Sequence, residues 1–361
     1  MPMKRARTPS LPIEALNLFA QLPGAEQSLL LDGTAASEFG AAMAAGLADS
    51  LANQGRLHGH WAQDLFRAVL ISLDATTLVK DEDAGELYHD EGRPLHLPDF
   101  RVVTKAGEHL LVEVKNVGPA RMLKIQRIPA GQFSAMQDYA RLTRARLVFA
   151  HYWSGVNWWT LVDADRFTPS GKYVELTFGE ASIANEFAML GDRLLMTSSV
   201  ITVMMLAAGI KAGTRVDPEM AAGLSFLGFE PSTVHFACDG VPVISRNEAE
   251  LVQAVALWGG GAMSDPWPIA DETGNRVGLV MTIQSPAGAE SPNLGSRLSS
   301  IYSARYLAAT TDAIGGSVRQ LRYQPDSTLT RLAAIAHADV PGRVMPVQVF
   351  TQVPTNPPAP S

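Results

Sequence analysis

The chain has 361 residues, 47% hydrophobic and 18% charged, a length that suits two domains or one large one and a composition that excludes a disordered chain. Its 29 basic and 36 acidic residues leave a net charge of -7, which argues against a tight, nonspecific nucleic-acid coat and leaves room for an enzyme with a local basic patch. The single cysteine, Cys238, excludes an internal disulfide and a cysteine zinc site, and Lys4, Arg5 and Arg7 precede no apolar run of the secretory kind, so a cytoplasmic protein is expected.

In chain order, Leu11 to Leu22 reads as a short amphipathic helix. Thr34 to Asn53 is Ala-rich and helical, opened by a capping-type Thr34 with Glu38 nearby, and Gly55 and Gly59 are expected to break it. His60 to Leu73 is a stronger helix, because Trp61, Leu65, Val69 and Leu73 recur every four residues. Asp81 to Pro94 is polar and reads as a loop. Pro98 to Val103 and Leu110 to Val114 read as two strands of a hairpin turning at Lys105, Ala106 and Gly107. Val117 to Pro129 reads as irregular. Ala130 to Leu142 is helical on the stripe Phe133, Met136, Ala140, and Arg146 to His151 and Trp158 to Val162 are strands. A helix crossover after a hairpin makes parallel pairing possible and predicts an α/β unit.

After about Pro169 the composition shifts toward Gly and Ala, and Lys211 is the last lysine. Helices are expected at Ala181 to Leu190, Leu194 to Ile210, Glu248 to Leu257, Ser299 to Ala309 and Leu329 to Ala338, with strands at Arg276 to Ile283 and Val347 to Phe350. Gly259, Gly260 and Gly261 mark a turn. The 17 uncharged residues from Leu194 to Ile210 approach the lower limit for crossing a bilayer, but Thr197, Ser198, Ser199 and Thr202 dilute them, so a buried helix is expected and a membrane span is not. The organisation expected is an N-terminal helical extension over 1–55, a core over 56–168, a C-terminal domain over 169–352 and a loose Pro-rich tail over 353–361. No chemical role is readable in the C-terminal half.

The stretch that carries chemistry is Pro98-Asp99-Phe100 followed by Leu111-Val112-Glu113-Val114-Lys115. Strand side chains alternate, so Glu113 and Lys115 share a face that Val112 and Val114 do not. Two charges on one side of a strongly apolar strand mark a site or a solvated strand end, because unpaired buried charge is costly. If Asp99 opens the adjacent strand, its carboxylate and that of Glu113 converge. Paired carboxylates suit a hard ion such as Mg2+, with Mn2+ able to substitute. Lys115 is then placed to position a water or to stabilise developing negative charge. A turn residue at Asp99 and a surface pair at Glu113 and Lys115 are the bland alternatives.

These elements, Pro98-Asp99 and Glu113-Val114-Lys115 on strands preceded by a helix and followed by a helix and a strand, resemble the PD-(D/E)xK nuclease superfamily with its restriction-endonuclease-like fold. The resemblance covers a core of about 100 residues. It implies a mixed sheet flanked by helices, and the sequence beyond it is expected to form a second, mainly helical or α+β region. It also implies catalytic roles for Asp99, Glu113 and Lys115, and a further acidic ligand on the first core helix, Asp64, with Glu86 from the loop as a substitute. A glutamine on the following helix is implied too, Gln132 first and Gln137 second, with Tyr139 accompanying it. DNA as the substrate follows from the resemblance.

Arg121, Lys124 and Arg127 read either as phosphate contacts near the scissile bond or as an ordinary solvated loop. His151, Tyr152, Trp153, Trp158 and Trp159 read as a core cluster before they read as a stacking platform. His58 and His60 lack further ligands nearby and are explained by a helix start. No Walker, Rossmann, H-E-x-x-H or G-x-S-x-G pattern occurs. The leading reading is a metal-dependent endonuclease or exonuclease hydrolysing DNA phosphodiester bonds. The alternative is a catalytically inactive, nuclease-like nucleic-acid-binding or scaffold protein, with the C-terminal region serving substrate selection, homo-oligomer formation or a protein partner.

Overall fold

The computed structural model describes residues 35–82, 87–90, 92–197, 199–207, 233–285, 294–312, 317–321, 323–336 and 347–351, with 15, 18 and 19 ahead of them. Thr34, Glu86, most of the helix expected over Leu11 to Leu22, and the Pro-rich tail lie outside the described residues.

Helix α1 spans Ala35–Ala52 and α2 spans Gln54–Leu73. The expected break at Gly55 and Gly59 is corrected: α2 runs through both. Asn53 caps it by accepting from the Arg56 amide at 3.0 Å. The fully buried Leu65, Phe66, Val69 and Leu70 then outweigh the roughly 1 kcal/mol that each glycine costs a helix. The helix ends at Asp74, which adopts a left-handed φ of 52°.

Strand β1 (Thr76–Asp81) was not expected, and the loop follows it. Then come β2 (Phe100–Thr104), β3 (His109–Val117), β4 (Gln126–Pro129), α3 (Ala130–Thr143), β5 (Arg146–Trp153) and β6 (Trp158–Asp163). Five of these strands form one mixed sheet in the order β1-β2-β3-β5-β6. Its only parallel neighbours are β3 and β5, joined through α3. The stretch 117–129 is more ordered than expected: a 3-10 turn at Pro119–Arg121 leads into β4, which pairs with β8 (Tyr173–Leu176), itself paired with β7 (Thr168–Ser170).

The alternation along the strands sorts side chains onto two faces. Leu110, Val112, Val114, Val148, Ala150 and Tyr152 join one core cluster beneath α2. Leu111, Val117, Leu147, Phe149 and Trp153 join the other, beneath α3 with its Phe133, Met136 and Tyr139. The aromatic run of β5 and β6 is core: Tyr152, Trp153 and Trp159 are fully buried.

Further along lie α4 (Phe178–Ile183), β9 (Leu194–Thr197) and β10 (Val200–Leu206). The helix expected over Leu194 to Ile210 is therefore corrected to two strands, with 208–210 outside the described residues. The polar break after Leu195 and Met196 lets the chain change sheets. Ile201, Thr202 and Val203 are β-branched and fit a strand paired on both sides. Next come β11 (Thr233–Cys238), which buries Cys238, β12 (Val241–Pro242), α5 (Arg246–Trp258), β13 (Ala262–Met263), β14 (Trp267–Ala270) and β15 (Arg276–Gln284). The last elements are β16 (Gly295–Arg297), α6 (Leu298–Thr310), α7 (Thr328–Ala336) and β17 (Val347–Phe350). Strand β10 sits between β11 and β15, while β9 sits between β16 and β17.

Helix α6 lies against α2 and the first face of the sheet. Trp61 Nε1 donates to Thr310 Oγ1 at 3.0 Å, and Trp159 Nε1 to Ser303 Oγ at 2.9 Å. The cluster on this face runs without interruption from Trp61 to Val349. Among the described residues no helix is long and apolar enough to cross a membrane.

Candidate functional site

The pairing of Phe100 with Val112 sets the site. Asp99 precedes this pair just ahead of β2, next to Glu113 in the register, while Glu113 lies on the face that carries Arg101, Leu111 and Lys115. The Asp99 carboxylate is held against β3: its Oδ2 accepts from the Val114 amide at 2.6 Å. Glu113 is 5% exposed, and its Oε1 accepts from Lys115 Nζ at 2.6 Å, while the Lys115 side chain is 37% exposed. Glu113 and Lys115 thus share one face, with the ammonium at the solvent edge, and the Asp99 carboxylate meets the same strand at the Val114 amide between them. A half-solvated pair of this kind contributes little stability, so its placement is informative mainly about chemistry.

The α2 side chain that reaches this centre is Gln63, a residue without a distinctive sequence signal. Its Nε2 donates to Asp99 Oδ1 at 2.5 Å, and its Oε1 lies 3.2 Å from His60 Nδ1. Because the Gln63 oxygen can only accept, that contact needs a proton on His60 Nδ1. Asp64, the neighbouring residue, is buried and forms an ion pair with Arg67, which also holds Asp81 at 2.7 Å. Burial, and then the Asp64 charge, push the Tyr306 phenol up.

A second acidic residue stands beside Asp99. Glu82 follows β1, and its amide donates to the Asp99 carbonyl at 2.9 Å. Its carboxylate is buried and accepts from Arg101 Nε at 2.9 Å, Tyr139 Oη at 2.6 Å and Lys80 Nζ at 3.3 Å. Burial alone would raise its pKa. The bonds and charge of Arg101 with the bond of Tyr139 more than offset that and hold it at about 2. The role of Tyr139 is to seal this cluster. Glu82 was hidden from the sequence because its place on a strand end emerges only from β1.

Lys115 is the parallel-strand partner of His151. His151 is 1% exposed and stacked against Trp153, with ring centroids 5.6 Å apart. Burial, and then the Lys115 charge, push its pKa down to about 3, so the imidazole beneath the site is neutral.

The remaining expected residues are more dispersed. Gln132 Nε2 lies 3.1 Å from His96 Nε2, in the segment leading to Asp99. Gln137 lines a hollow with Arg146, Leu147 and Asp163 at the other end of β5. Arg127 pairs with Glu175 at 2.8 Å and overlies Tyr173. Arg121 and Lys124 are exposed, and neither forms an ion pair among the described residues.

Two carboxylates of hard oxygen donors on adjacent positions fit a small ion such as Mg2+, which keeps several waters and uses one or two protein carboxylates. Among the described residues no group of three or more His, Cys, Asp or Glu meets in a metal-holding arrangement. Any ligands beyond the carboxylates would be water, main chain or substrate.

No family model and no curated protein matches this chain. Among solved structures it is similar to Hjc, a Holliday junction resolvase from the archaeal hyperthermophile Archaeoglobus fulgidus. The identity is 16%, the match covers 30% of this chain and 84% of that one, and the TM-score is 0.24. A likeness this slight carries no argument about what this chain does.

Proposed function

We propose that this chain is a metal-dependent nuclease that hydrolyses DNA phosphodiester bonds at Asp99, Glu113 and Lys115. What supports the reading is that the Asp99 carboxylate accepts from the amide of Val114, the residue between Glu113 and Lys115, which pair with each other and keep the ammonium at a solvent edge. DNA as the substrate class follows the sequence resemblance to PD-(D/E)xK nucleases.

A bound Mg2+ or Mn2+ would polarise the phosphodiester and lower the pKa of a water; Asp99 and Glu113 are the residues to hold it. Gln63 and the Val114 amide each restrain one oxygen of Asp99, so its carboxylate needs little reorganisation. Lys115 rests on Glu113 and keeps its ammonium solvent-reachable. From there it can orient the attacking water and stabilise charge developing on the phosphoryl oxygens. The neutral His151 beneath adds no competing charge.

The test is single-turnover cleavage of linear, nicked and branched DNA with Mg2+ or Mn2+, comparing wild type with Lys115→Ala. The variant is expected to lose about 10²- to 10³-fold in rate, the loss typical of removing one group that stabilises charge in the transition state. Equal cleavage by both proteins would remove Lys115 from the chemistry. The second reading, a nucleic-acid-binding scaffold, draws on one feature: Lys115 and both Asp99 oxygens are already engaged within the protein. Wild type that binds DNA and cleaves none with either metal would establish it.

A further inference from the structure

The segment between β3 and β4 combines exposed apolar side chains with cations. Leu123 is 87% exposed and Ile125 45%, between and beside the exposed Arg121 and Lys124. Leu123 and Ile125 add little to the folded core, which leaves their side chains open to a partner, and the cations beside them distinguish this tip from a singly exposed apolar residue.

The tip is rigidly built. The Arg121 amide donates to the Gly118 carbonyl at 2.9 Å and the Lys124 amide to the Arg121 carbonyl at 3.0 Å. The Gln126 side chain, 7% exposed, donates from Nε2 to the carbonyls of Arg121 and Lys124 at 2.9 and 2.7 Å. Met122 turns inward and packs on the cluster beneath α3. Pro119 lies against the β5–β6 turn so closely that a Cβ at Gly155 would come within 3.2 Å of its Cα. The loop leaves β3 directly beyond Lys115 and ends in β4, which is anchored by β8. A preorganised tip of this kind is ordered before any partner arrives and loses little entropy on binding.

Resting on the nuclease reading above, we propose that residues 119–125 form a wedge for double-stranded DNA. Leu123 inserts between base steps next to the scissile phosphate, and Arg121 and Lys124 hold the flanking phosphates. The chemistry favours this occupant: two uncompensated cations flank an apolar tip, in a chain whose net charge is -7. That matches a ligand with an anionic rim and apolar stacked planes. Apolar wedges that unstack a step, steadied by basic residues, are an established mode of duplex deformation. Arg127, spent on Glu175, is left outside the wedge.

The test uses the full chain in EDTA with a duplex carrying 2-aminopurine, whose fluorescence rises on unstacking. Wild type is expected to raise the signal several-fold. Leu123→Ser should abolish the rise and Leu123→Met restore it. Arg121→Ala and Lys124→Ala should each reduce the slope of log affinity against log salt by about 0.9. In Mg2+, Leu123→Ser should slow cleavage of duplex more than cleavage of single strands. An undiminished 2-aminopurine rise in Leu123→Ser overturns the wedge while leaving the nuclease reading in place. So does Leu123-dependent binding to anionic vesicles with no DNA effect. Unstacking without cleavage in any metal would sustain the wedge and sink the nuclease reading, and absence of DNA binding would sink both.

Discussion

The two faces of the five-stranded sheet are built from the same strands and differ in what they tolerate. Beneath α2 and α6, β2, β3, β5 and β6 contribute Phe100, Val102, Leu110, Val112, Val148, Tyr152 and Trp159, all essentially inaccessible. Beneath α3 the apolar packing is interrupted by a polar band, Arg101, Glu113, Lys115 and His151, carried on alternate positions of three neighbouring strands. A sheet buried on both faces gains less from such a band than from apolar packing, because each charge must be paired or left wet. The contrast separates two uses of the same strands: one face is apolar scaffold, and the other carries charged groups, of which Lys115 reaches solvent.

The comparison breaks in a definite order. The largest effect is expected on the scaffold face. Phe66 is fully buried, with ring centroids 5.7 Å from Phe100 and 5.4 Å from Trp159. Phe66→Ala should cost about 3–5 kcal/mol in chemical denaturation, as large-to-small core changes do. On the polar face, Glu82 comes next. Its carboxyl is held at about 2, below its ordinary 4.5, so its contribution is full above pH 4.5 and is lost as pH falls toward 2. Unfolding followed against pH should show wild type more stable than Glu82→Gln by at most about 3 kcal/mol near neutrality. That gap should close through the acid window, and a gap independent of pH would disprove the ionised role. The smallest effect belongs to Gln63→Ala, which frees Asp99 Oδ1 without touching either core. It should lower the cleavage rate about tenfold or less with little change in stability. If Gln63→Ala is silent while Asp64→Ala abolishes cleavage, the acidic neighbour and not the amide serves the site.

Much of this was legible from spacing. The four-residue recurrence of Trp61, Leu65, Val69 and Leu73 marks α2, and the alternation around Glu113 and Lys115 marks a strand with a charged face. The misreadings have physical causes. Gly55 and Gly59 resemble breakers until Asn53 caps the helix and its buried stripe outweighs them. Leu194 to Ile210 is uncharged and largely apolar, and a short apolar run has no period to distinguish a buried strand from a helix. Strand β1 is mostly exposed, so its pairing with β2, rather than its composition, defines it.

Local pattern by itself determined which segments have an apolar face and that Glu113 and Lys115 lie on the same side of a strand, because side-chain direction follows backbone period. It could not decide that Gln63 would touch Asp99, or that Glu82 would be drawn under Arg101 and Tyr139. Those contacts join residues tens of positions apart. They depend on strand register and on how α2 and α3 seat on opposite faces, which only the folded chain as a whole settles.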